Sequence, residues 1–223
     1  MASKSSVWEF STIAVQEMFG KSLKGFNMIS VYQLKPKFQQ MLRPLTNGLA
    51  KAGVTANQVT VFAMLLSIAT GGVILWKQSL LWFYLLPAVL FLRMALNAID
   101  GMLAREHNQK SKLGAYLNEL GDVVSDVALL LPLFILPSVS PWLVGAFIFM
   151  AMLVEFVGVV APMVGKERQY QGPMGKSDRA LVLGLLGIIL PLWPIVVEYL
   201  NYGLVVLVAL SVFTMVNRIK VAL

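Results

Sequence analysis

The sequence predicts an all-α integral membrane protein: six transmembrane helices behind an N-terminal interfacial amphipathic arm. Three observations predict it. The 223 residues are 58% hydrophobic with a mean hydropathy of +0.76, well beyond the composition of soluble globular domains. Six stretches approach the roughly 20 apolar residues that a helical crossing of the bilayer core requires. The basic residues between them concentrate in alternate loops, which places them on one side, as the positive-inside rule demands.

The arm is residues 1–54, and the membrane domain is 55–223. In the arm, VWEFSTIAVQEMF and YQLKPKFQQMLRPLTNGLAKAG mix apolar and basic residues at roughly helical spacing, broken by Pro36 and Pro44. Such a stretch is expected to lie on an anionic leaflet. The first twenty residues lack the compact apolar core and small-residue cleavage site of a signal peptide.

The expected spans are about 56–76, 80–104, 113–137, 141–164, 180–197 and 200–217. The first, third and fourth are the clearest, and the last two are divided only around Asn201–Gly203. With the N-terminus in the cytoplasm, sixteen of the eighteen Lys and Arg residues fall inside, leaving Lys77 outside and Arg93 within a span. Both termini are therefore expected in the cytoplasm. The formal net charge of +7 points to lipid headgroups and not to nucleic acid, because the charges flank apolar spans. There is no cysteine, which excludes disulfides, thiolate metal sites and a thiol nucleophile. Pro132, Pro137, Pro162, Pro191 and Pro194 are expected at kinks or span ends. Trp76, Trp82, Trp142 and Trp193 read as interfacial anchors.

Ionisable groups inside spans are costly and point to function. The second span carries Arg93 and Asp100, the third Glu119, Asp122 and Asp126, and the fourth Glu155. At about 100° per residue, Asn118, Asp122, Asp126 and Glu119 share one face of the third helix. Asn97 and Asp100 share a face of the second, with Arg93 one turn earlier. An antiparallel hairpin turning near 109–110 levels Arg93 with Asp126, Asn97 with Asp122, and Asp100 with Glu119. Arg93 and Asp126 are expected to form a structural pair. The layer nearer the cytoplasm, with Asn97, Asp100, Asn118, Glu119 and Asp122, offers hard oxygen donors suited to Mg²⁺ or Mn²⁺.

The stretch from Asn97 to Asp122 resembles the signature of the CDP-alcohol phosphatidyltransferases, D-x2-D-G-x2-A-R-x8-9-G-x3-D-x3-D. Here it reads Asn97, Asp100-Gly101, Ala104-Arg105, Gly114, Asn118 and Asp122, with every spacing kept. GVTANQVT, residues 53–60, is similar to the start of the family's first helix. The resemblance implies a metal-dependent enzyme that moves a phosphatidyl-type group from a CDP-linked lipid to a small polar alcohol and releases CMP. It implies that Asn57, Thr60, Gly101, Ala104, Arg105 and Gly114 bind the CDP group. Metal would sit at Asn97, Asp100, Asn118 and Asp122, and Asp122 would take the acceptor's proton. The resemblance also implies a homodimer, while six spans with both termini inside suggest a bacterial inner membrane.

The departure is that Asn97 and Asn118 stand where the signature has aspartates. An amide oxygen can ligate a hard cation but brings no charge. Glu119 either supplies a third carboxylate to the metal or faces the headgroup region. The alternative function is a catalytically impaired family member that binds liponucleotide or lipid without turnover. A small ion-coupled transporter ranks last, since its acids belong near the midplane. His107 reads as a solvated turn residue, and Glu155 as a partner of a neighbouring helix. Lys176 and Arg179, at the mouth of the fifth span, are candidates to hold an anionic group of the acceptor.

Overall fold

The computed structural model describes residues 31–223, with side chains described from residue 37. The expected arm over residues 1–30 lies outside them. The chain divides into two compact units, Met1–Met41 and Leu42–Leu223, and the site lies in the second. Among the described residues there are helices and no strands.

Helix α1 spans Val31–Lys51 and runs on through Pro36 and Pro44. The expected break at these prolines does not occur; each costs a ladder hydrogen bond but leaves the helix intact. Its Leu42, Leu49 and Ala50 pack on a small core of Ala56, Val59, Ile99, Met102 and Leu103. Arg43 forks onto Glu106, with Nε and Nη2 at 3.1 and 2.9 Å from the two carboxylate oxygens.

Six further helices follow: α2 Ala56–Lys77, α3 Leu85–Glu106, α4 Lys112–Leu130, α5 Pro141–Val160, α6 Lys176–Leu192 and α7 Val196–Ala222. Short 3₁₀ turns at Leu80–Tyr84, Leu131–Ile135 and Ala161–Val164 join or extend the helix ends. Four segments among the described residues are long and apolar enough to cross a membrane: Ala56–Lys77, Leu80–Glu106, Pro141–Val164 and Val196–Ala222. The two others fall short for identifiable reasons. Helix α4, expected among the clearest spans, carries Glu119, Asp122 and Asp126 and ends at Leu130, one residue before the turn that holds Pro132. Helix α6 has 17 residues. The division between α6 and α7 also lies earlier than expected. It falls at Trp193–Ile195, around Pro194, while Asn201 and Gly203 are inside α7. Asn201 instead stitches the α4–α5 connection, accepting from the Ser140 N–H at 2.8 Å and donating to the Ser138 carbonyl at 2.7 Å.

Helix α2 packs on α4 and α3, α3 on α6, and α5 on α7. The main core runs through all of them, with Ile74, Phe83, Leu86, Leu129, Leu133 and Leu204 almost wholly enclosed. Two glycines allow close approaches within the bundle. A Cβ on Gly71 would run into the Ala128 carbonyl of α4, and one on Gly187 would lie 2.8 Å from the Phe83 carbonyl. Gly71→Val should therefore separate α2 from α4 and abolish the folded monodisperse species in size-exclusion chromatography, whereas Gly72→Ala, whose Cβ meets open space, should not.

The polar residues gather at one end of this bundle. They lie at the starts of α2, α4 and α6 and at the ends of α3, α5 and α7, which short connections bring together. Trp76, Trp82, Trp142 and Trp193 stand at the opposite helix ends, and Lys77 lies 4.6 and 5.5 Å from the rings of Trp76 and Trp82. Exposed aromatics at that level fit a membrane–water boundary.

Candidate active site

The start of α2 is held by its own sequence. Thr55 accepts from the Gln58 N–H, and Gln58 Oε1 returns the bond to the Thr55 N–H at 2.9 Å, a capping box. Gln109, from the α3–α4 turn, accepts from the Ala56 N–H at 2.7 Å. This fixes the two residues of the GVTANQVT stretch that face α3 and α4. Thr60 Oγ1 lies 2.9 Å from Asp100 Oδ2 and 3.1 Å from the Ala56 carbonyl, its one proton serving either acceptor. Asn57 Nδ2 lies 3.5 Å from Ser111 Oγ, the N-cap of α4.

The signature glycines leave room in different ways. A Cβ on Gly114 would come within 2.7 Å of Asn57 Oδ1 and 3.0 Å of Ser111 Oγ. Gly114→Ala should push Asn57 aside; with Asn57 on the CDP group, as the resemblance implies, the KM for a CDP-linked donor should rise by roughly tenfold, about one hydrogen bond to a charged group, with kcat changed less. Steady-state kinetics checks this. Over Gly101 the space is taken by the Arg105 guanidinium, whose nitrogens would lie 3.0 and 3.1 Å from an added Cβ. Arg105 itself is exposed, so its fork is free to swing onto a phosphate.

Behind this lies a buried ion-pair network. The expected Arg93–Asp126 pair forms, Nη1 donating to Oδ1 at 3.1 Å. Arg93 Nη2 stands 3.6 Å from Asp122 Oδ1. Arg179, 3% exposed, donates through Nη2 to Asp126 Oδ2 and Glu155 Oε1, both at 2.9 Å, and through Nη1 to the Met174 carbonyl at 3.0 Å. Lys176 pairs with Asp122. Arg168, from the α5–α6 loop, pairs with Glu119 and reaches Glu155 at 3.5 Å. Arg218, 2% exposed, ties α7 to α5 through the Val154 carbonyl and to that loop through the carbonyls of Tyr170 and Gln171.

So the sites expected from sequence separate into groups. Asp100 is held by Thr60, and Asp122 by Lys176 and Arg93. Glu119 points its carboxylate to Arg168, and among the described residues no three acids or histidines are gathered to hold a metal. Arg179 is turned to Asp126 and Glu155, and Glu155 bonds a neighbouring helix as expected. His107 reaches Asn47 Oδ1 at 3.1 Å. Sequence reasoning did not identify Arg168 and Arg218 as network members, because both sit among loop and terminal charges that the positive-inside rule already explains.

The donor chemistry can be tested against a divalent ion. Two carboxylates, Asp100 and Asp122, with the amide oxygens of Asn97 and Asn118, make a hard-oxygen set that fits one Mg²⁺ or Mn²⁺, substrate oxygens or water completing its shell.

Comparison with known proteins gives a family and a fold. Residues 53–216 match the CDP-alcohol phosphatidyltransferase family model. The inner membrane protein YnbA of Escherichia coli is 46% identical over 192 residues, which cover 86% of this chain and 96% of that one. Archaetidylinositol phosphate synthase of Pyrococcus horikoshii is 31% identical over 98 residues, 44% of this chain and 50% of its own. The fold matches phosphatidylinositol phosphate synthase of Mycobacterium tuberculosis with CDP-DAG bound, at TM-score 0.68 and 23% identity over 82% of this chain and 94% of that one. The same enzyme in complex with manganese and citrate matches at TM-score 0.67 and 22% identity, over 80% and 87% of the two chains.

Proposed function

The chain belongs to the CDP-alcohol phosphatidyltransferase family, and we propose that it transfers a phosphatidyl-type group from CDP-diacylglycerol to the hydroxyl of a small polar alcohol, releasing CMP. The observation that carries this is the pair of carboxylates on facing helices, Asp100 fixed by Thr60 and Asp122 set beside Lys176, at one end of an apolar bundle.

In this reading Asn57, Gly101, Ala104, Arg105 and Gly114 receive the CDP group. Thr60 acts through Asp100, holding its carboxylate in place. Asp122 takes the proton of the acceptor hydroxyl. The acceptor oxygen bonds to the phosphorus that bears the lipid, the bond from that phosphorus to CMP breaks, and CMP leaves with the electron pair. A divalent ion held by Asp100, Asp122, Asn97 and Asn118 supplies, when bound, charge neutralisation at the pyrophosphate. Lys176 is the accessible cation on the acceptor side, whereas Arg179 acts through Asp126 and Glu155. Six crossings, cytoplasmic termini, a bacterial inner membrane and a homodimer complete the proposal. The charge distribution supports the orientation, the relation to YnbA the membrane, and the family resemblance the dimer.

The test is CMP release from CDP-diacylglycerol by purified protein, with Mg²⁺ or Mn²⁺ and a panel of polar acceptors. Release that needs one acceptor and is lost in EDTA supports the transferase. A second reading, donor binding without turnover, is favoured by Asn97 and Asn118. Donor binding with no release under any acceptor or ion would establish it.

A further inference from the structure

Lys176 lies outside the signature stretch, 54 positions beyond Asp122 in the chain, yet its ammonium pairs with that carboxylate. It arrives there on a rigid support. Asp178 Oδ2 accepts from the Gly175 N–H at 3.0 Å, and the Met174 N–H donates to Thr214 Oγ1 at 3.0 Å. One turn on, Arg179 is locked between Asp126 and Glu155. The first turn of α6 is thus pinned to α4, α5 and α7, and Lys176 projects from it with its side chain 32% exposed, against 14% for Asp122.

The acids nearest to Asp122 already have cationic partners, and Arg93 also stands 3.6 Å from Asp122. Asp126 holds Arg93 and Arg179, Glu155 holds Arg168 and Arg179, and Glu119 holds Arg168. What remains for a metal is Asp100 and Asp122, with two neutral amides. Four aspartates would balance two dications. Two aspartates and one ammonium balance a single dication once a substrate phosphate joins. Replacing acids by amides and adding a fixed ammonium shift the site's charge in the same direction, and both reduce what a second metal ion could gain.

We propose that Lys176 is the second cation of this site: its ammonium stands against Asp122 in the role of a second metal ion, and the chain works with one divalent ion. The inference rests on the transferase reading above. It makes Lys176 a charge-balancing residue at the pyrophosphate and not only an acceptor contact.

The experiment is a Mn²⁺ titration of the whole protein in detergent with CDP-diacylglycerol, followed by electron paramagnetic resonance. The expected result is one Mn²⁺ per chain with the resolved hyperfine pattern of an isolated ion. Lys176→Met combined with Asn97→Asp and Asn118→Asp should take up two, with the broadened spectrum of a coupled pair. Lys176→Met alone should lose turnover by roughly a hundredfold, the scale of one preorganised charge-stabilising group, and Lys176→Arg should keep most of it. Two coupled Mn²⁺ ions in the unaltered chain would overturn the inference, and so would undiminished turnover in Lys176→Met. The stoichiometry of the unaltered chain needs no variant, so the test survives a Lys176→Met protein that does not fold. A chain that binds the donor but neither takes up Mn²⁺ nor releases CMP would overturn the transferase reading, and this inference with it. Two Mn²⁺ ions with normal CMP release would overturn the inference alone.

Discussion

Asp122→Asn should lower CMP release by about a thousandfold, the middle of the range for losing a positioned general base. Asparagine keeps the shape and can still receive a hydrogen bond from Lys176, but it cannot take a proton. Asp122 is also one of the two carboxylates offered to the metal, so the comparison is made at saturating Mn²⁺, where the loss should fall mainly on kcat. Asp126→Asn is the informative neighbour. It lies one turn further along the same face, where its oxygens hold Arg93 at 3.1 Å and Arg179 at 2.9 Å. Its loss should show mainly in stability. Radiometric CMP release beside thermal unfolding in detergent separates the two. An Asp122→Asn protein with a tenth or more of normal turnover would remove Asp122 as the base.

Arg179→Met should be the most destabilising single change in the network. The guanidinium is 3% exposed and serves Asp126, Glu155 and the Met174 carbonyl. Removing it leaves two largely buried carboxylates short of a cation, which costs about 3–5 kcal/mol. For a chain of this size that is a fall of roughly 10 °C in Tm. Adding Glu155→Gln in the same background should return part of the loss, because one unmatched charge is then gone. Equal Tm values for the single and double variants would show that Glu155 is satisfied by Arg168 and Arg218, which stand 3.5 and 3.9 Å from it.

The elements most legible in the sequence were those set by local rules. The apolar runs expected from about 56 and 113 lie within a residue of the starts of α2 and α4, which the structure caps with the Thr55–Gln58 box and with Ser111. Helical periodicity placed Asn118, Asp122 and Asp126 on one face, and the hairpin arithmetic paired Arg93 with Asp126. The break before α7 falls earlier than the sequence suggests, because Asn201–Gly203 has the composition of a turn. Inside α7 the Asn201 amide has a long-range use, the backbone groups of Ser138 and Ser140. Pro36 and Pro44 misled in the opposite sense, as α1 tolerates both. Helix α4 looked like a clear span because its apolar residues dominate the window, although three acids lie within it.

The sequence by itself determined the class of molecule and its chemistry: long apolar helices, a spaced signature, two carboxylates and two amides where four acids are the rule. Tertiary structure decided which charges meet. Arg168, Lys176, Arg179 and Arg218 are positive residues near helix ends in any reading of the chain, and charge counting cannot tell a loop cation from a buried one. Only the convergence of α4, α5, α6 and α7 at one end of the bundle sends Lys176 to Asp122, Arg168 to Glu119, and Arg179 to Asp126 and Glu155. The physical reason is that an ion pair in an apolar bundle depends on separations of a few ångströms between helices far apart in the chain, and no local pattern encodes that distance.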